Sequence, residues 1–315
     1  PGLDGLRAQS ERALFLENPK AETVIAAFER APPQTAEGTF VFARALRETG
    51  KQDEAVQLIR QLWASDALDT ALESRILKDY GSFLKAADHK GRMDYLMYRS
   101  RVTQAKRFAD LGEAQSLYKG WSAVIREAKN ADALVKAVDA SWADDPAYLF
   151  IQIEQLRRKE KYEDAAALLK KVPQDTAQLI NPSEWWNERR IVARGLADQG
   201  DYRAAYDIVS AYRGTRAADI VDAEFHAGWY ALRHLDDPSS AERHFRQIEK
   251  VSNGPISSAR ALYWLGRTAE QAGHDTADEF YRKAAVYPGT FYGQLAAAKT
   301  GSRTLNVADP VPSDD

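Results

Sequence analysis

The sequence predicts an all-α protein, a right-handed superhelix of antiparallel helix hairpins. Three observations carry that expectation. Apolar residues recur at helical spacing almost throughout, a hairpin pattern returns at a near-constant interval, and turn residues and helix-start pairs punctuate it.

The helical stripes are short. Ala205, Ile208, Val209 and Tyr212 follow the i, i+3, i+4, i+7 spacing of one helix face. Phe225, Trp229 and Leu232 do the same with Gly228 in the remaining slot, as do Ala241, Phe245 and Ile248. A stripe of about three turns cannot bury itself and needs neighbouring helices.

The neighbours come as repeats. An alanine sits early in the second helix of each hairpin, at Ala55, Ala165, Ala205, Ala241 and Ala277. The last three steps are 40, 36 and 36 residues, and the first, of 110, leaves room for three periods of roughly 37. Nine residues before the alanine stands Leu46, Leu156, Leu196 or Leu232, with Thr268 in the last copy. Turn residues lie between: Gly50-Lys51, Lys161-Tyr162, Gly200-Asp201 and Gly273-His274. A small residue lets paired helices approach closely, so the layout reads as a tetratricopeptide-like α-solenoid over residues 1–300. The strict tetratricopeptide signature is not met, because Trp264-Leu265-Gly266 lacks the usual gap after the Trp.

Four pairs mark helix beginnings: Asn18-Pro19, Asp145-Pro146, Asn181-Pro182 and Asp237-Pro238. Each offers an oxygen acceptor at the N-cap and a proline at the first helical position, where its missing N–H costs nothing. Asn181 with Glu184 three residues on has the spacing of a capping box. Residues 301–315, with Asp309-Pro310-Val311-Pro312-Ser313-Asp314-Asp315, are polar and aperiodic and read as a flexible tail or the start of a linker.

Composition sets bounds. With 43 Lys plus Arg against 46 Asp plus Glu the net charge is −3, which gives no reason to expect nucleic acid. The absence of cysteine excludes disulfides, thiolate metal sites and cysteine nucleophiles. No apolar run approaches the length of a membrane span, so no transmembrane segment is expected, nor is any cofactor. The chain starts at Pro1 without a basic-then-apolar leader, and the expectation is that a signal peptide was removed or the sequence trimmed.

Three blocks carry a resemblance. They are Ala284–Ala297 (Ala-Ala-Val-Tyr-Pro-Gly-Thr-Phe-Tyr-Gly-Gln-Leu-Ala-Ala), Trp185-Trp186-Asn187-Glu188-Arg189-Arg190 with Gly200-Asp201-Tyr202 behind it, and His226-Ala227-Gly228-Trp229-Tyr230-Ala231-Leu232-Arg233. In order and spacing they resemble the helical superhelix of soluble lytic murein transglycosylases, especially alphaproteobacterial ones. The match is good over residues 121–300 and weak over 1–120. The resemblance implies a periplasmic scaffold, curved toward a ring, on which a catalytic domain sits. The whole enzyme cleaves peptidoglycan glycan strands to 1,6-anhydromuramyl products without water. Its partners would be those strands, its own C-terminal catalytic domain and other cell-wall proteins. The catalytic part is expected after Ala298, so this chain alone is expected to be inactive. The rival reading is a stand-alone helical-repeat adaptor for protein–protein interaction, and a third is a degenerate transglycosylase that kept only glycan binding.

The candidate sites follow from these blocks. No catalytic residue is expected: the Glu73-Ser74 pair has no Gly-Leu-Met-Gln stretch beyond it, and Glu73 reads as an ordinary surface residue. Trp185 and Trp186 offer rings for stacking on sugars, with Arg189 and Arg190 beside them for peptide-stem carboxylates. The alternative is that Trp185, with Val192 and Leu196, packs the core. Tyr287, Pro288, Phe291, Tyr292 and Gly293 read as a joint toward the linker and catalytic regions, with Phe291, Tyr292 and Leu295 anchoring the next helix. His226, His234 and His244 lack the i, i+4 pairing of a helical zinc site, so no metal is expected. Arg157-Arg158-Lys159 and Lys170-Lys171 read as solvated helix faces.

Overall fold

The structure is a computed structural model that describes residues 2–65 and 68–301. Those residues are all-helical, with no strand among them. The expected tail lies, from residue 302 on, outside the described residues. The chain divides into two compact units, one up to Tyr148 and the other from Leu149.

The first unit contains α1 (Gly2–Glu17), α2 (Ala21–Phe28), α3 (Ala36–Glu48), α4 (Gln52–Ser65), α5 (Thr70–Tyr80), α6 (Ala86–Tyr98), α7 (Val102–Leu111), α8 (Gln115–Ile125) and α9 (Ala131–Lys136). The division falls within the first turn of α10 (Pro146–Arg158). The second unit continues with α11 (Tyr162–Leu169), α12 (Pro182–Asp198), α13 (Tyr202–Ser210), α14 (Ala217–His234), α15 (Pro238–Val251), α16 (Pro255–Ala272), α17 (Ala277–Ala285) and α18 (Phe291–Lys299). From α11 to α18 each helix packs on the next in the chain.

One turn design recurs. The Lys51 N–H donates to Leu46 O and the Gly50 N–H to Arg47 O, with Gly50 in the left-handed region at φ 88°. This is a Schellman closure, which satisfies the last carbonyls of a helix. The same two bonds end α12 at Gly200 and α16 at Gly273. They also end α6 at Ser100 and α10 at Glu160, where a residue with a Cβ takes the positive φ. The leucines at the repeat position, Leu46, Leu156 and Leu196, are the acceptors of the long Schellman bond.

The same two bonds also end α7 at Glu113 and α8 at Glu127, so the turn recurs in the first unit without one fixed period. Leu96, Ser100 and Ala105 stand in the same register as Leu46, Gly50 and Ala55. With that copy the alanines stand 50 residues apart from Ala55 to Ala105 and 60 from Ala105 to Ala165, which lies in the second unit. Ala55, Ala105, Ala165, Ala205 and Ala241 are all fully buried, whereas Ala277 is half-buried. Four residues after the alanine, in five of these hairpins, comes the side chain the close approach admits: Ile59, Leu169, Val209, Phe245 and Tyr281, each buried. Burying such a side chain stabilises by about 1.5–3 kcal/mol. In α14 and α16 the facing position is a glycine. A Cβ on Gly228 would stand 2.6 Å from the Phe245 ring, and one on Gly266 2.6 Å from the Tyr281 ring.

The helix starts are partly as expected. Asp145 accepts from the Ala147 N–H at 2.9 Å and Asp237 from the Ser240 N–H at 2.9 Å, each before a proline at the first helical position. Asn181 precedes Pro182 but makes no side-chain cap bond, so the capping box does not form. Glu184 instead accepts from the Asn187 side-chain amide at 3.0 Å. Asn18 is a helix end rather than a start. Its N–H donates to Leu14 O, its φ is 51°, and α2 begins at Ala21. Asparagine tolerates the left-handed region, and this competing use outweighs its N-cap preference here.

Candidate functional site

The Trp185–Arg190 block lies in the first half of α12, and its helical rotation sends its members to different surroundings. Trp185 is buried, edge-on to Phe150 at 5.0 Å. Arg189 is also buried, donating to Ile208 O at 3.2 Å and to Leu169 O at 3.3 Å. Burial lowers its pKa to about 10, because no carboxylate offsets the lost hydration. The guanidinium thereby ties α12 to the ends of α11 and α13.

Trp186 and Arg190 face an open cleft of about 540 Å³ between α12, α14 and α16. Trp186 is 2% exposed, so only an edge of its indole reaches the cleft. Its Nε1–H donates to Asp222 Oδ2 at 3.1 Å, which fixes the ring, and Tyr212 and His226 pack against it. Arg190 pairs with the same Asp222 oxygen at 3.6 Å. Asp219, also on the wall, accepts from the Ser183 hydroxyl at 2.5 Å. From α16, Ser257 and Arg260 close the far side. The first turn of α14 contributes Ala217 and Ala218, whose amides have no side-chain cap from Arg216. Of the four residues singled out for glycan contact, the cleft thus brings together two, Trp186 and Arg190.

Arg260 escaped the sequence reading. Its guanidinium lies 4.4 Å from the Phe225 ring centroid, and its Nε is buried without a hydrogen-bond partner. Burial lowers its pKa, with Asp222 opposing. Nothing adjacent to it in sequence announces a site, since its partners lie on α12 and α14.

Between α17 and α18 the chain forms a turn, as Pro288 and Gly289 suggest. α17 stops at Ala285, and Thr290 caps α18 by accepting from the Gly293 N–H at 3.0 Å. A side chain at Gly293 would overlap the Tyr287 carbonyl oxygen, so the turn requires glycine there. Tyr292 anchors α18 against Tyr263 and Trp264, with ring centroids at 5.4 and 6.5 Å, and Leu295 packs on the same cluster. Phe291 does not anchor the helix. It is 68% exposed, with its ring edge-on to Tyr292 at 5.2 Å, because the tight turn rotates it off the buried face; Val286, at the other end of the turn, is 72% exposed.

Two further expectations are corrected. Glu73 has no surface: it is 0% exposed and bonds to the equally buried Arg92. Its place on α5 turns it inward beside Leu72 and Ile76, and Arg92 supplies the compensating charge from α6. Arg157 is not merely solvated, since its Nε and a terminal nitrogen grip both oxygens of the buried Glu188 at 2.9 and 2.8 Å. Lys170 and Lys171 are exposed.

Among the described residues no group of three or more potential metal ligands comes together. His226 Nδ1 lies 2.7 Å from Asp222 O, and His234 stacks on Tyr202 at 3.6 Å. His244 bridges Glu224 and Tyr206 at 2.6 and 3.1 Å. Among the described residues no helix is long and apolar enough to cross a membrane. No protein-family model matches the chain, and no curated protein matches it at a significant level.

Proposed function

We propose that this chain is the superhelical scaffold of a periplasmic lytic transglycosylase, with the reaction centre carried elsewhere in the enzyme. The recurrent turn register from Leu46–Ala55 to Leu196–Ala205 carries this reading, since one turn design repeated between paired helices is how an α-solenoid propagates. The resemblance of residues 185–190, 226–233 and 284–297 supplies the class. The buried state of Glu73 supports the absence of a reaction centre at its Glu-Ser pair. Its Oε1 is held by Arg92 and its side chain has no solvent access.

On this reading the cleft around Trp186, Arg190 and Arg260 contacts the cell wall, while Val286 and Phe291 face the following domain. The test is sedimentation of the chain with peptidoglycan sacculi, together with a turbidity assay on the same material. The expected result is pelleting without clearing. Clearing by the chain alone overturns the scaffold reading, and failure to pellet favours the protein–protein adaptor, to which the exposed Val286 and Phe291 are also suited.

A further inference from the structure

We infer that the cleft between α12, α14 and α16 binds the terminal carboxylate of a short peptide through Arg260, with Arg190 beside it. The inference rests on the wall-contact reading only for the source of the peptide. The chemistry comes from the cleft.

Arg260 differs from Arg92, Arg157 and Arg189 in what its guanidinium meets. Arg92 has Glu73, Arg157 has Glu188, and Arg189 has two carbonyl oxygens. The Arg260 guanidinium rests on the Phe225 ring and forms no ion pair with a described residue, and its Nε has no hydrogen-bond partner. Such a cation has lost hydration on its buried side and feels Asp222 only through space, so an anion bonded from the cleft side restores what folding removed. Arg190, half exposed, adds a second planar donor, and Ser257 and Asn187 add neutral ones.

The two wall acids select the kind of anion. Asp219 is held by Ser183 and Asp222 by Trp186 and Arg190, and Asp222 acts on Arg260 through space without an ion pair or hydrogen bond to it. A carboxylate meets their repulsion once, while a phosphate dianion meets it twice. The guanidinium fork accepts carboxylate and phosphate alike, so this difference in repulsion sets the preference.

The test follows the Arg260 Nε–Hε resonance of nitrogen-labelled protein, assigned by its absence in Arg260→Lys. The probes are N-acetylalanine, N-acetylalaninamide and inorganic phosphate. A saturable shift with N-acetylalanine is expected, at a Kd on the order of 1–10 mM. The amide should give none, phosphate should bind roughly tenfold more weakly, and Arg190→Gln should weaken N-acetylalanine binding by roughly threefold. No saturable shift up to about 50 mM, an equal response to the amide, or phosphate binding as tight as the carboxylate overturns the proposal. Should Arg260→Lys not fold, Arg260→Gln with matching circular dichroism assigns the resonance. An Arg190→Gln affinity equal to wild type overturns the pairing. Carboxylate binding with no sacculus pelleting removes the wall reading alone, whereas pelleting without carboxylate binding removes this one alone.

Discussion

Arg92 grips Glu73 where neither side chain has any solvent access, with Nε at 3.0 Å and a terminal nitrogen at 2.7 Å from the same Oε1. The pair links α5 to α6, and the guanidinium also lies over the Trp63 and Tyr95 rings at 5.6 and 5.0 Å. Two charges removed from water in this way are costly, and the pair is tolerated because each compensates the other.

Glu73→Ala should therefore destabilise the first unit by about 3–5 kcal/mol, since it strands a buried guanidinium. The double change Glu73→Leu with Arg92→Met should recover most of that loss. Urea unfolding of the three proteins checks this. A double variant as unstable as Glu73→Ala would show that packing around the pair, not its charge, sets the effect.

Asp94 supplies a pH dependence. It is fully buried on α6 and shares the Lys90 ammonium with Asp145, at 2.6 Å from Asp94 and 2.6–2.7 Å from Asp145. Burial pushes its pKa up to about 7, against the opposing pull of Lys90 and with a further rise from Asp145. A carboxyl whose folded pKa lies above its unfolded one binds a proton more readily when folded. Its stabilisation is present below the unfolded value of 3.8 and is lost as pH rises through about 7. The first unit should lose roughly 2–4 kcal/mol between pH 4 and pH 8 from this group. Asp94→Asn should flatten that slope in urea melts at both pH values, and an unchanged slope would assign the effect elsewhere.

Glycines that look alike in sequence should respond with opposite signs. Gly91 in α6 has open space where a Cβ would stand, so Gly91→Ala should stabilise by about 1 kcal/mol through helix propensity alone. Gly228 in α14 faces the Phe245 ring, and there Ala should destabilise by roughly 1–3 kcal/mol despite the same propensity gain. Thermal melts of the two variants decide between contact and propensity.

The helices themselves were legible because short amphipathic stripes and Asp-Pro starts are local signals, as at Asp145, Asp237 and Ala205–Tyr212. The copy at Leu96–Ala105 was not, because Ser100 takes the left-handed position that Gly50 and Gly200 advertise elsewhere. Asn18 misled because one side chain suits both ends of a helix. Glu73 misled because helical phase alone does not reveal a compensating Arg92 nineteen residues away. In the candidate site Trp186 and Arg190 could be named from their block, whereas Arg260 joins them only through packing of α16 beside α12 and α14.

The turn between α17 and α18 separates two adjacent aromatics by role. Tyr292 packs on Tyr263, Trp264 and Phe225, so Tyr292→Ala should remove roughly 2–4 kcal/mol from the second unit by leaving a gap in that cluster. Phe291→Ser should change stability by less than about 0.5 kcal/mol, because its ring is already in water. The double change Phe291→Ser with Val286→Ser should likewise leave the melting of this chain unchanged, since both side chains are exposed. Equal losses from Tyr292→Ala and Phe291→Ser in this chain would place both rings in the core and remove the exposed pair as a docking surface.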